Sequence, residues 1–370
     1  MWEKGEKIMQ GKMYDIRQDL IKLETAVATY KRLNGMQDFE DEVIANALLF
    51  NTARGAFFGI GGTEKNRARA FALFCYLFEK KRLSVAAFYI GEEYKEGIVV
   101  DQDLNKAFDY YLIAAKMDAD ADGAAFSEEK EYAKAKIEMA KLLIGRKIDL
   151  PGVDTSQYYW YGFGCYLCAA DDGDKQAEMM LTSLSECHGY AETDDEEDSD
   201  GVPLYDFYHP DKLLHRARAG DAAAMFALAQ LYLHEYSPYF RLKYTKKWLL
   251  AASRSGDRGS KYLLITVLIA EDNICYEENP NVYEVYYQDS TWKKLATRLI
   301  EPRHEEIVNE ILVVSSKKRA EEIFRRMKSY LFEYMDAQAV DEILRVYFEL
   351  VNASNSYIRI KPGLPSDDEV

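Results

Sequence analysis

Proline is scarce in this chain, 8 in 370 residues, and cysteine scarcer, with five at positions 75, 165, 168, 187 and 275. With so little proline, and with 48% hydrophobic and 13% aromatic residues, the composition excludes an intrinsically disordered chain. An odd number of irregularly spaced cysteines in a chain this long excludes a disulfide framework; they read as reduced thiols packed as small hydrophobes. A basic excess is also missing. Forty-seven Lys and Arg against sixty-three Asp and Glu leave a net charge of −16, which argues against a nucleic-acid partner, because Lys and Arg must displace phosphate counterions. No stretch approaches the roughly 18–20 uncharged apolar residues of a membrane helix. The start, Met1-Trp2-Glu3-Lys4-Gly5-Glu6-Lys7, has neither an apolar core nor a small-residue cleavage site. The expectation is a soluble cytoplasmic protein that does not engage a membrane.

Strand alternation is missing too, whereas small and aromatic residues at helical spacing recur throughout. The clearest stretch is Ala86–Gly97. Ala86, Ile90, Gly91 and Tyr94 fall on one face, because 3.6 residues per turn brings i, i+4, i+5 and i+8 together. Gly97 ends this helix. Asp103 is placed to N-cap a second one, whose face carries Ala107, Tyr110, Tyr111, Ala114 and Ala115. Alanine and glycine at these places let two helix backbones approach closely, with tyrosines filling the gaps. The unit is an antiparallel helix pair.

A lone pair cannot bury its apolar face, and copies are present. Ala224, Leu228, Ala229 and Tyr232 reproduce the first helix, and Ala251-Ala252 closes the second. Ala135, Met139, Ala140 and Leu143 form another first helix, followed by Phe163, Tyr166 and Ala169-Ala170. Weaker copies start at Leu49-Arg54-Phe57, Ala177-Leu181-Thr182 and Ser260-Leu264-Ile265. The Gly91-equivalent positions are then 54, 91, 140, 182, 229 and 265, a base unit near 36 residues with variable insertions. That is the signature of a helical solenoid.

Ala86-x-x-x-Ile90-Gly91-x-x-Tyr94-x-x-Gly97-x-x-Val100-x-x-Asp103-x-x-Ala107, ending Tyr110-Tyr111-x-x-Ala114-Ala115, resembles a Sel-one-like repeat (SLR), a relative of the tetratricopeptide repeat. The phrases Ala219-Gly220-Asp221 and Ser255-Gly256-Asp257 resemble the junctions of that family. Residue 54 departs from the pattern, with arginine where the family has glycine. The resemblance implies an all-α protein: a right-handed α-α superhelical solenoid of about six SLR/TPR-like helix pairs with helical caps. Its first helices would line a concave surface that binds other proteins.

The expected division is an N-terminal helical cap over 1–42, the solenoid over 43–275, a C-terminal helical region over 276–360 and a disordered acidic tail over 361–370. Insertions fall near 118–129 and 189–205. Helices are expected near 303–315, 317–335 and 337–352, with Pro210 in the first turn of another. Terminal helices of a solenoid are expected to turn a polar face outward. The acidic run Glu192-Thr193-Asp194-Asp195-Glu196-Glu197-Asp198-Ser199-Asp200-Gly201 reads as a solvated loop, with an acidic docking arm as the alternative.

Candidate chemistry is sparse. Asp118-x-Asp120-x-Asp122-Gly123, then five residues and Glu129, satisfies the calcium-loop spacing, in which alternate oxygens wrap a hard cation and the last Glu binds through both oxygens. Phe126 stands where such loops usually supply oxygen, and the leading reading is an acidic linker, with a calcium-responsive binding module as the alternative. Cys165-x-x-Cys168 lies on a helix where a zinc knuckle needs a turn, so core packing is expected. Gly59–Lys65 lacks P-loop spacing and reads as the turn between paired helices. No metal, cofactor or catalytic constellation is expected. An enzymatic activity housed after residue 276 is the second alternative.

The remaining feature is a surface. With Ala86, Ile90, Gly91 and Tyr94 in the core, the helix turns Phe88, Glu92 and Lys95 toward the inner curve. The same offsets give Ile137, Lys141 and Ile144, then Met179, then Phe226, Gln230 and Leu233, then Tyr262. Apolar residues recurring at one offset suggest anchors for a peptide or helix of a partner protein. The functional expectation is a non-enzymatic scaffold or adaptor whose groove these residues line, left open unless C-terminal helices or the superhelical curvature cover it.

Overall fold

The computed structural model describes residues 14–35, 40–116, 131–187, 209–233, 241–256, 259–261, 263–265, 267–268 and 317–354. Among them the regular structure is helical and no strand occurs, so the fold is all-α. The helices are α1 (Arg17–Asn34), α2 (Asp41–Phe58), α3 (Arg67–Lys81), α4 (Ala86–Glu96), α5 (Leu104–Ala115) and α6 (Glu131–Ile144). A 3-10 turn, Thr155–Gln157, leads into α7 (Tyr158–Asp171), followed by α8 (Lys175–Cys187), α9 (Pro210–Arg218), α10 (Ala222–Leu233) and α11 (Arg241–Arg254). Last come α12 (Lys317–Tyr334) and α13 (Ala337–Ser354). Where packing between them is described, the helices pack mainly on their neighbours in sequence. The chain divides into two compact units, Met1–Cys165 and Tyr166–Val370, the boundary falling inside α7 and therefore within the stretch read as one repeat array.

In the first unit the α4–α5 pair follows the sequence pattern closely. Gly97 ends α4 in the left-handed conformation (φ 68°) and donates its N–H to the Glu93 carbonyl. Asp103 caps α5, its Oδ1 accepting the Lys106 N–H at 3.0 Å. Gly91 is buried where the two helices cross. A Cβ there would lie 2.8 Å from Tyr111 Cε1 and 3.2 Å from the Ala107 carbonyl oxygen, so only glycine admits this approach. Gly162 plays the same part for α6 and α7, since a Cβ would fall 2.6 Å from Ile144 Cγ1 and 3.0 Å from the Ala140 carbonyl oxygen. Arg54 lies one residue before the buried Gly55 and points its Nε toward Glu131 at 4.0 Å. Aromatic rings fill the space between α2, α3 and α4: Phe74 stacks on Tyr89 at 4.4 Å, with Phe50 and Phe57 edge-on at 5.8 and 5.3 Å.

In the second unit Pro210 occupies the first turn of α9 and Asp221 opens α10, accepting the Ala224 N–H at 3.1 Å. The residues matched as repeat copies, Phe163, Tyr166, Ala169 and Ala170 in α7 and Ala224, Leu228, Ala229 and Tyr232 in α10, are all buried. So are Ser260, Leu264 and Ile265, in helical segments after α11. Cys165 and Cys168 are buried free thiols of α7, and burial raises Cys165 to about 12. The C-terminal helices expected near 317–335 and 337–352 are α12 and α13. The acidic stretches 118–129 and 192–201, the expected helix at 303–315 and the tail 361–370 lie outside the described residues, as do Tyr262, Cys275 and the side chain of Cys187.

Candidate interaction surface

The first unit holds six of the residues singled out from sequence, and burial sorts them into two kinds. Phe88 is 8% exposed, with its ring against Tyr89 (5.2 Å) and Tyr111 (5.9 Å), and Ile137 is 2% exposed. Both belong to the core. For Phe88 the reason is the position of α4, which has α3 and α5 on either side and α6 beyond, so little of its circumference meets water. Ile144 is half-buried beside Gly162. One turn further along each helix the charged members reach the surface and meet.

Glu92, Lys95 and Lys141 are joined through a residue that the repeat pattern did not single out, Glu138. Lys141 Nζ donates to Glu138 Oε1 at 2.6 Å, and Lys95 Nζ donates to Glu138 Oε2 at 3.1 Å and to Glu92 Oε1 at 2.6 Å. Tyr111, on α5, donates its hydroxyl to Glu92 Oε1 at 2.5 Å. Burial works against the charge on Lys95, but Glu92 and Glu138 outweigh it and raise the lysine above its ordinary value. Burial opposes the Glu138 charge too, and Lys141 and Lys95 overcome it, holding this carboxyl below its ordinary value. Burial, with Glu92 next, pushes the Tyr111 hydroxyl up, so it serves as a donor. The signal in the sequence was the shared i, i+3 spacing of Glu92 with Lys95 and Glu138 with Lys141, which sets a carboxylate and an ammonium one turn apart on adjoining helices.

Elsewhere on α4 Glu93, with no exposed area, accepts from Arg67 Nε at 2.5 Å, and Arg67 also bonds Glu96 at 2.7 Å and lies 3.8 Å above the Phe57 ring. Burial dominates at Glu93 and raises its carboxyl above the ordinary value despite Arg67. Its second oxygen, Oε2, has no hydrogen-bond partner.

In the second unit Met179 is 73% exposed on α8, while Phe226 and Gln230 are half-buried on α10 and Leu233 is fully buried. The polar centre of this unit was not anticipated. Asp171, at the end of α7, accepts from Tyr232 OH (3.0 Å) and Trp248 Nε1 (2.8 Å) on Oδ2 and from Lys247 Nζ (2.7 Å) on Oδ1. Tyr244 donates to Asp172 at 2.9 Å and stacks on Tyr232 at 5.0 Å. Burial, reinforced by the carboxylates, pushes both tyrosines well up, so they act as donors. The cluster ties α7 to α10 and α11 through partners 61 to 77 residues away, too far for local spacing to reveal.

Among the described residues no group of three His, Cys, Asp or Glu side chains is placed to hold a metal ion, and no helix is long and apolar enough to cross a membrane. The Asp118–Glu129 loop lies outside those residues. No family model matches the chain, and no curated protein matches it.

Proposed function

We propose that the chain is a non-enzymatic scaffold or adaptor, a right-handed solenoid of Sel-one-like helix pairs that works in the cytoplasm by binding a peptide or helix of a partner protein. The observation that carries this reading is the Glu92–Lys95–Glu138–Lys141 chain of charges. It spans two helices of the stack and leaves the side chain of Lys141 44% and that of Lys95 27% exposed. A peptide laid across α4 and α6 meets donors and acceptors already fixed in position by one another, which lowers the ordering cost of recognition. The anchors of such a contact are these polar groups, since Phe88 and Ile137 face the core. Met179, Phe226 and Gln230 serve a partner in the second unit.

Quantitative affinity capture with the full chain and the Lys95→Ala/Lys141→Ala variant tests the reading. At least one partner recovered by the parent is lost by the variant while far-UV circular dichroism stays unchanged. Equal recovery of every partner refutes the assignment of this surface.

A further inference from the structure

The four charges that join α4 to α6 are unequally covered. Glu92 and Glu138 keep only 15% and 17% of their side chains exposed, and their oxygens accept from Lys95, Lys141 and the Tyr111 hydroxyl. Lys95 keeps 27% and Lys141 44%. The carboxylates are turned into the surface and the ammonium groups out of it. Of the three donors an ammonium carries, Lys141 commits one to a described acceptor.

More positive charge gathers at the end of α6. Gly145 follows Lys141 by one turn on the same face, and Lys147 folds back across it: a Cβ at Gly145 would lie 3.2 Å from Lys147 Cε and 3.4 Å from its Cγ. Lys141 and Lys147 therefore share one patch, with the exposed Arg146 beside them in the chain. The negative end of the helix dipole lets cations collect there. Carboxylates do not answer them. Arg146 and Lys147 have no ion pair among the described residues, and neither have Asp149 and Asp154, the acidic residues that follow; Asp154 caps the 3-10 turn, accepting the Ser156 N–H at 2.9 Å.

In a chain of net charge −16 this is a local reversal of sign. At physiological salt, charges more than about 8 Å away are largely screened, so a partner at this patch meets its cations rather than the net charge. Resting on the reading that a partner segment lies across α4 and α6, we propose that this segment is acidic, a stretch of Asp and Glu whose carboxylates bind Lys141, Arg146 and Lys147. A basic segment would meet outward cations and carboxylates already satisfied by lysine. An apolar one would find Phe88 and Ile137 buried. A nucleic acid would carry its phosphates past the patch into the field of an acidic chain.

Fluorescence anisotropy with the full chain and labelled peptides of equal length is the test, one peptide rich in Asp and Glu, one rich in Lys and Arg, and one without charge. The acidic peptide binds, and more weakly as salt rises. Lys141→Glu and Lys147→Glu each weaken it about threefold or more, since each turns an attraction into a repulsion. Lys147→Glu leaves the bonds of Glu138 in place, and far-UV circular dichroism confirms that each variant keeps its helices. Lys80→Glu, at an exposed residue of α3, changes the net charge equally and leaves binding unchanged. An acidic peptide that does not bind, that ignores Lys141→Glu and Lys147→Glu, or that Lys80→Glu weakens as much, overturns the proposal. So does tighter binding of an oligonucleotide of the same charge, or a preference for the basic or uncharged peptide. If Lys95→Ala/Lys141→Ala abolishes that preference, only the chemistry of the partner is overturned and the surface stands; if the same variant loses no partner in affinity capture, the surface itself falls.

Discussion

Replacing Gly91 by alanine sets two effects of known size against each other. In an exposed helix interior the change stabilises by about 1 kcal/mol, because alanine has the higher helix propensity. Here the new methyl would stand 2.8 and 2.9 Å from Tyr111 Cε1 and Cδ1 and 3.2 Å from the Ala107 carbonyl oxygen. Tyr111 has no exposed area, so the ring has no free space to enter, and the carbonyl belongs to a helix backbone. Overpacking of this kind costs about 1–3 kcal/mol. Moving the ring also draws its hydroxyl from Glu92, a charge-assisted bond of 2.5 Å whose loss costs roughly 1.5–3 kcal/mol where no replacement partner is found. With the bond lost, the sum is a destabilisation of about 1.5–5 kcal/mol in spite of the propensity gain. Urea unfolding followed by far-UV circular dichroism measures it, and a Tyr111→Leu background, which removes the ring, should recover part of the loss. A Gly91→Ala variant more stable than the parent would refute the reasoning, since it would mean that α4 and α5 do not meet at this residue.

Asp171→Ala strands the buried Tyr232 hydroxyl and Trp248 indole N–H, so it should cost about 3–5 kcal/mol, with Trp248 emission reporting the loosened unit; an equally stable variant would show that the cluster does not hold α7 to α10 and α11. Glu93 titrates above its unfolded value of 4.5, so the native state keeps this proton longer than the unfolded chain, and stability falls as pH rises from 4.5 through the raised value. Glu93→Gln removes that loss while leaving an acceptor for Arg67, so urea midpoints at pH 4.5 and pH 7 should show the variant gaining on the parent as pH rises; a difference constant with pH would contradict the direction of the shift.

Local sequence sets much of this fold. Gly97 ends α4 and Asp103 starts α5 because a left-handed turn and an unpaired helix N–H select those residue types within one turn of the chain. Gly91 among alanines marks a close helix crossing for the same reason: one face of one helix suffices to read it. Cys165 and Cys168 are legible as core residues from their place on a helical face. Exposure, by contrast, is a property of neighbours. Phe88 and Ile137 lie at an offset that an isolated helix pair would leave open, yet both are buried, Phe88 on α4 between α3 and α5 and Ile137 on α6, which packs on α5 and α4. The opposite holds at α1, where Ile21 and Leu33 are large apolar residues of a helix and yet are largely exposed. The carboxylate of Asp171 finds its donors on α10 and α11 only after folding brings them together, and Glu138 joins Lys95 across 43 residues by the same means. Periodicity and capping act over a few residues, so they are written in the chain; which faces are covered and which charges meet depends on contacts between helices far apart in sequence, and only packing creates those.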